Sequence, residues 1–146
     1  MPKLLMFAPC QKVIIGLGDN LPSLIGILQD IEVGSGAPEP LPEKALAAIH
    51  WNVFVLWLRG KEDEGKLFEQ RVQLRSPSGK ILIEIVAEFR MEKPMHRFTG
   101  TVHGFPISES GEHLLKLYLH EARRESEWQE VAEFPVIVKS PVRAST

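Results

Sequence analysis

The chain lacks the cysteines and the long hydrophobic runs that mark secreted and membrane-spanning proteins. Cys10 is the single cysteine among 146 residues, so no internal disulfide can form, which is typical of a reducing compartment. The apolar run before Cys10 spans about five residues, whereas a signal sequence needs roughly 7–15. No stretch approaches the ~18 apolar residues of a membrane span. We therefore expect a cytoplasmic protein that does not enter a membrane.

An excess of positive charge is also lacking. The chain has 17 Lys and Arg residues against 19 Asp and Glu residues, which gives a formal net charge of −2. The basic residues are scattered, and Arg123 and Arg124 are the only adjacent pair. Proteins that bind nucleic acid usually carry a basic patch. The sequence therefore predicts no nucleic-acid partner.

Motifs for nucleophilic catalysis and for nucleotide binding are missing as well. There is no Gly-x-Ser-x-Gly elbow, and no position in the sequence suggests a histidine partner for Cys10. Gly16 and Gly18 resemble part of a dinucleotide-binding loop, but the third glycine is absent. These observations predict a non-enzymatic protein without a cofactor.

The histidines do not form an obvious metal site. His96 and His103 are seven residues apart, as are His113 and His120, so each pair lies on opposite faces if its segment is a strand. A pair across two strands, such as His103 with His120, remains geometrically open, and metal sites need such convergence. We keep these two residues as candidate ligands and expect no bound metal.

The chain does contain a ladder of strand-length apolar runs, separated by turn residues. Most of the runs alternate apolar and polar side chains with a period of two, which indicates half-buried strands. This pattern predicts an all-β, antiparallel β-sandwich of about eight strands with Greek-key or immunoglobulin-like connections, as one domain over residues 1–140 with a flexible tail at 141–146. The runs cover residues 50–58, 67–74, 80–89, 95–105, 112–120 and 128–139.

The segments before this ladder are less regular. Residues 3–8 and 12–15 read as two short strands around a kink at Pro9 and Cys10. Residues 21–33 have apolar side chains at helical spacing, but Gly26 in the middle disfavours a helix by about 1 kcal/mol, and a buried strand fits equally well. Residues 34–42 hold two glycines and three prolines and predict a loop, and residues 42–49 predict the one short helix.

Several segments resemble one family. Residues 20–31 (NLPSLIGILQDI) are similar to a GKLNIIGIFDRI-like signature near the start of a widespread family of small bacterial proteins, described only as a domain of unknown function. Residues 64–80, 105–117 and 134–138 resemble later strands and a hairpin of that family. Pro22 and His113 depart from its pattern. The resemblance implies a β-sandwich and favours strand over helix for residues 21–33, but it implies no activity and no site residues.

Candidate binding residues are therefore few. Trp51 and Trp57 share one face of one predicted strand and, with Trp128, could form a sugar-binding platform, although aromatic residues on a central strand are usually core residues. By elimination, the sequence predicts a protein-interaction or scaffold module. The alternative is a small-ligand or carbohydrate binder that uses Trp51 and Trp57, or the loops near Ser108. If the apolar segment 3–15 lies at a sheet edge, we also expect a homodimer.

Overall fold

The computed structural model describes residues 1–34, 42, 44–122 and 127–139. All the regular secondary structure in these residues is β-strand. The all-β prediction is confirmed for these residues, and each of the six predicted runs contains a strand. The nine strands are β1 (Lys3–Ile15), β2 (Pro22–Ile27), β3 (Asp30–Glu32), β4 (Leu46–Leu58), β5 (Leu67–Arg75), β6 (Ile81–Arg90), β7 (Met95–Pro106), β8 (Gly111–Glu121) and β9 (Gln129–Lys139).

The strands form two sheets. The first has four antiparallel strands in the order β2-β1-β4-β7. The second has five strands in the order β3-β9-β8-β5-β6 and curls into a half-barrel; its β3–β9 pair is parallel and its other pairs are antiparallel. β4 is a central strand of the first sheet, because it pairs with β1 on one side and β7 on the other.

The predicted short helix at residues 42–49 is wrong. The backbone N–H of Ala45 donates to the C=O of Pro42 in a single turn, and β4 begins directly afterwards at Leu46. Ala47 and Ile49 pack against the core with strand alternation, and β4 pairs with β7 at residues 46 and 47 and again from His50, with an irregularity between these positions. The loop predicted at residues 34–42 lies mostly outside the described residues, and the tail predicted at 141–146 lies wholly outside them.

The two short strands predicted around Pro9 and Cys10 are one continuous strand. β1 pairs with β4 over residues 3–10 and with β2 over residues 10–15, so it changes neighbours at Cys10. Its irregularity is a bulge between Leu4 and Met6, and no break occurs at Pro9. The feature that the structure shows at Cys10 is therefore a change of neighbouring strand and not a division between two strands.

Residues 21–33 form strands, as the resemblance implies, and not a helix. Gly26 adopts a φ of 69°, a conformation that L residues rarely adopt, and a Cβ there would lie 2.7 Å from the Gln11 side-chain oxygen. Beyond this point the Leu28 N–H donates to the Pro9 C=O, and the Gln29 C=O accepts from the Ile137 N–H. The segment therefore leaves the four-stranded sheet and joins the five-stranded one.

One hydrophobic core contains side chains from both sheets. On the inward faces of β5 and β8, Gln70 and His113 are buried together with the apolar residues. Ile83 is only half-buried, unlike Leu117, because β6 lies at the end of its sheet. The largest core side chains are Trp51, Trp57, Phe68, Leu74, Met91, Phe105, Leu115, Leu117 and Leu119.

Candidate functional site

Trp51 and Trp57 are core residues. Their relative exposures are 1% and 0%, and each indole N–H already has a partner. The Trp51 Nε1–H donates to the Gly104 C=O at 2.9 Å, and the Trp57 Nε1–H donates to the Gln70 Oε1 at 2.9 Å. The sugar platform predicted on these two residues is therefore wrong, because neither ring offers a face to a ligand.

Trp128 lies against the outward side chains of the five-stranded sheet. The Arg71 guanidinium carbon is 4.2 Å from the centroid of its ring, and the His120 ring stacks on it at 3.8 Å. The His120 Nε2 is also 2.6 Å from the Glu69 Oε1. His120 is thus part of a local cluster formed by side chains of β5 and β8 together with Trp128, which directly precedes β9.

His103 belongs to the other sheet, so the pairing of His103 with His120 that the sequence left open does not occur. It lies directly opposite His50 across β4 and β7, with 2.6 Å between the two Nδ1 atoms. Both side chains are exposed. Within the described part of the chain, no group of three or more His, Cys, Asp or Glu side chains could hold a metal ion.

The remaining two histidines pack against aromatic rings. His96 stacks on Phe89 with 4.5 Å between ring centroids, and burial lowers its pKa. His113 is buried beside Phe105, and burial likewise lowers its pKa below the ordinary value, despite a contact of its Nδ1 with the Gly111 C=O at 3.3 Å. These positions are typical of structural histidines.

The most distinctive concavity is an apolar groove of about 590 Å³, bordered by β1, β2, β4 and β9. All its lining side chains are nonpolar, which is unusual for an open surface. We call this feature the apolar groove. It is lined by Met6, Ala8, Pro22, Leu24, Ile27, Phe54, Leu56 and Phe134.

Strand pairing positions the side chains of this groove. Met6 lies opposite Leu56 and Ala8 lies opposite Phe54 in the β1–β4 ladder. Phe54 is buried on the face of β4 opposite to Trp51 and Trp57, where the small side chain of Ala8 leaves room beside it. Among the described strands, β4 is the only hydrogen-bonded neighbour of residues 3–8 of β1.

A hairpin continues from the groove. Residues 11–27, which we call the hairpin arm, extend beyond the contact of β1 with β4 at Cys10. Asp19 closes its turn by accepting from the Leu21 N–H at 3.0 Å, with Asn20 at a φ of 57°. The arm exposes several large apolar side chains to solvent, which is energetically unfavourable. They are Ile14, Ile15, Leu17, Leu21, Ile25 and Ile27.

The loops near Ser108, the second location considered from the sequence, border a pocket of about 680 Å³. It is more polar than the groove. The Ser78 hydroxyl donates to the Glu109 Oε2 at 2.8 Å, and this hydrogen bond lowers the pKa of the Glu109 carboxyl. Lys44, Lys80 and Ser108 also line the pocket.

Sequence reasoning missed the groove, although two signals pointed to it. Both faces of β4 are apolar, so one of them had to be covered by something other than the main core. The run of apolar residues in β1 likewise does not alternate. The sequence does not show that residues 3–10 pair with β4, and this pairing brings the two additional apolar faces together.

No protein-family model matches the chain, and no curated protein shows significant similarity to it. The resemblance to the bacterial family therefore stays a prediction. The described part of the chain contains no helix with the length and hydrophobicity needed to cross a membrane.

Proposed function

We propose that the protein is a non-enzymatic, cytoplasmic interaction module that binds an extended apolar segment of a partner protein in the apolar groove. The observation that carries this proposal is the groove itself, about 590 Å³ in volume and lined by nonpolar side chains alone. Burying apolar surface contributes roughly 25 cal/mol per Å², so a nonpolar segment would gain from entering it. A charged segment would lose its hydration there without gaining a polar partner.

The adjoining strand supports an extended conformation for that segment. Met6 and Ala8 line the groove and also belong to the part of β1 that is hydrogen-bonded only to β4 among the described strands. Unpaired backbone groups at such an edge can add a strand from another chain. Main-chain hydrogen bonds would supply affinity, and alternate side chains of the partner would enter the groove.

The architecture that we propose behind this surface is an immunoglobulin-like sandwich with Greek-key connections. β5 with β6 and β8 with β9 form hairpins in one sheet, whereas the chain changes sheets between β4 and β5, β6 and β7, and β7 and β8. The parallel β3–β9 pair and a core shared by both sheets fit the same arrangement. Such folds commonly present sheet edges and loops to partners, so this support is an analogy.

A photo-crosslinking experiment tests the interaction proposal. A photoreactive phenylalanine analogue replaces Met6, which is exposed in the groove, or Leu46, which is exposed on β4 and does not line it. We expect a partner protein to be captured from Met6 and not from Leu46. The purified partner should then bind the native chain, and Met6→Glu should weaken binding at least about tenfold, the equivalent of about 1.4 kcal/mol.

Equal capture from both positions, or binding that Met6→Glu leaves unchanged, would contradict the proposal. Leu46→Glu is the matched control, because it places the same charge on an exposed apolar position outside the groove. The two variants should have similar stability, so that any difference in binding reflects the groove.

A small-ligand binder is the second candidate, and the groove volume favours it specifically, since ligand pockets typically span about 300–1,000 Å³. The polar pocket near Ser108 is a second location for such a ligand. A thermal-shift panel of glycans and apolar metabolites distinguishes the two functions. Stabilisation by a small molecule that Met6→Glu abolishes would assign the groove to that ligand and displace the interaction proposal.

A further inference from the structure

We propose that His50 and His103 form a chelating site for a divalent transition metal of the class that prefers imidazole ligands. The two residues are directly paired Cα partners on β4 and β7, and their Nδ1 atoms are 2.6 Å apart. Their rings meet edge to face, with 4.7 Å between centroids and 86° between planes. Since both side chains are exposed, an ion can reach them from solvent.

The separation of the nitrogen atoms is close to what a metal requires. A distance of 2.6 Å between the two Nδ1 atoms fits a hydrogen bond in which one neutral ring donates and the other accepts. Two imidazole nitrogens bound to one ion at about 2.0–2.1 Å lie roughly 2.9 Å apart in neighbouring positions of the square-planar geometry typical of Cu²⁺, and roughly 3.3 Å apart in the tetrahedral geometry typical of Zn²⁺. Small rotations of two exposed rings supply the difference, and no movement of the backbone ladder is needed.

Metal binding requires no net gain or loss of protons. The proton on the Nδ1 of the donor ring moves, by exchange with solvent, to the Nε2 of the same ring, so both rings become neutral Nε2–H tautomers. Each Nδ1 then donates its lone pair to the metal, and no net proton is released. Water fills the remaining coordination positions, because only two ligands come from the chain.

The ladder around the pair holds the two ligands in place before the ion arrives. On the same faces, the Thr101 hydroxyl donates to the Asn52 Oδ1 at 2.8 Å, and Asn52 and Thr101 are themselves directly paired. The Nε1–H of the buried Trp51 side chain donates a hydrogen bond to the C=O of Gly104, the residue next to His103. Preorganisation of this kind reduces the entropic cost of closing a chelate.

The order of metals follows from the ligand type. Neutral imidazole nitrogens bind Cu²⁺ and Ni²⁺ as well as Zn²⁺, and the general order of affinity places Cu²⁺ first. We therefore expect Cu²⁺ to bind more tightly than Zn²⁺. Mg²⁺ and Ca²⁺ prefer oxygen ligands and should not compete.

Calorimetric titration with Cu²⁺ and Zn²⁺, in a buffer that does not bind metal, tests the site on the full chain. The native protein should bind one Cu²⁺ per chain. His50→Ala and His103→Ala should each weaken this binding at least about tenfold, because either variant leaves one ligand and removes the chelate. His120→Ala is the matched control, since it removes a histidine from the other sheet and should leave the affinity unchanged.

Spectroscopy provides a second measurement that does not depend on affinity. X-ray absorption of the copper-loaded native protein should show two histidine nitrogens at about 2.0 Å, and one or none in the His103→Ala variant. Absence of saturable binding, or binding that survives both His50→Ala and His103→Ala, would overturn the proposal. Circular dichroism of each variant confirms that these exposed substitutions leave the fold intact.

Discussion

Leu117 lies in the middle of β8 with no exposed surface, and its neighbours in the core come from both sheets. Leu117→Ala should therefore leave a cavity and lower the free energy of unfolding by about 2–5 kcal/mol. Ile83→Ala should cost less, because that side chain is only half-buried. Denaturant unfolding measures both.

Val86→Ala is the control for this series, since Val86 is an exposed apolar residue on the same strand as Ile83. It should change the free energy of unfolding by less than about 0.5 kcal/mol. A loss at Leu117 as small as that at Val86 would mean that β8 is shifted by one residue in register.

Gln70 is a polar residue on an otherwise apolar face, and its partner is the Trp57 indole. Trp57→Phe should lower the free energy of unfolding by about 1–3 kcal/mol, because it leaves the buried Gln70 oxygen without its donor. In a Gln70→Leu background the same substitution should cost less. A double-mutant cycle should give a coupling energy of about 0.5–3 kcal/mol.

Trp51→Phe is the matched control for this cycle. The Trp51 indole donates to a backbone carbonyl, at Gly104, and not to Gln70. Its substitution should therefore be additive with Gln70→Leu. Equal coupling in both cycles would show that the cycle measures repacking of the core and not the hydrogen bond.

His113 links stability to pH. Burial lowers the pKa of its folded-state imidazole, whereas the unfolded chain titrates near about 6.5. As pH falls through that value, the unfolded state takes up a proton that the folded state does not, so the free energy of unfolding should fall between roughly pH 7 and the lowered folded-state pKa. His96, with a pKa lowered by burial, contributes in the same direction.

His113→Gln should flatten this pH dependence, as measured by the denaturant midpoint between pH 7.5 and 5.5. Leu115→Ala destabilises the same buried face without removing a titrating group, and it should keep the native slope. Parallel slopes in the native protein and in His113→Gln would contradict the assignment of the pH dependence to His113.

At the scale of single elements, Gly26 adopts a positive φ near the end of β2, shortly before the chain continues as β3 in the other sheet. Its φ of 69° and its approach to Gln11 leave no room for a side chain without a shift. Gly26→Ala should lower the free energy of unfolding by about 1 kcal/mol or more. Gly18→Ala is the control, because no atom lies within 4 Å of a Cβ placed there, and it should be nearly neutral. Equal effects would mean that the conformation of Gly26 is not required.

The elements that could be predicted from sequence are those in which local pattern and environment agree. β5 and β8 each have one buried face and one outward face, so apolar and polar residues alternate along them. This period of two was enough to predict both strands from the sequence. The helix predicted for residues 42–49 was wrong, because the helix-favouring residues Glu43, Lys44 and Ala45 precede a strand that pairs with β7. Propensity in so short a segment is weaker than a ladder of this length.

Strand partners could not be predicted, because they join residues far apart in the chain. His50 and His103 are 53 positions apart, and no spacing within either segment indicates that they meet. The apolar groove has the same origin, since it combines residues of β1, β2, β4 and β9. Candidate sites on this protein are therefore products of topology more than of local motif.

At the scale of the whole molecule, the apolar surfaces lie where β1 changes neighbours. Residues 3–8 are hydrogen-bonded only to β4 among the described strands, and the hairpin arm extends past β4 from residue 11. The homodimer expectation depended on residues 3–15 lying at a sheet edge, whereas β1 as a whole lies between β2 and β4. The apolar groove and the exposed arm are two consequences of this one change of partner.

The arm provides a concrete form of the homodimer prediction. Ile14 and Ile25 are exposed by 46% and 45%, and burying them in a symmetric pair of arms would remove apolar surface from water. We expect a dimer of the 16.4 kDa chain by light scattering at micromolar concentration, and a monomer after Ile14→Lys combined with Ile25→Lys. Leu46→Lys, an exposed apolar position outside the arm, should leave the dimer intact. A native monomer would refute self-association, and a dimer that persists in the folded double variant would place the interface elsewhere on the molecule.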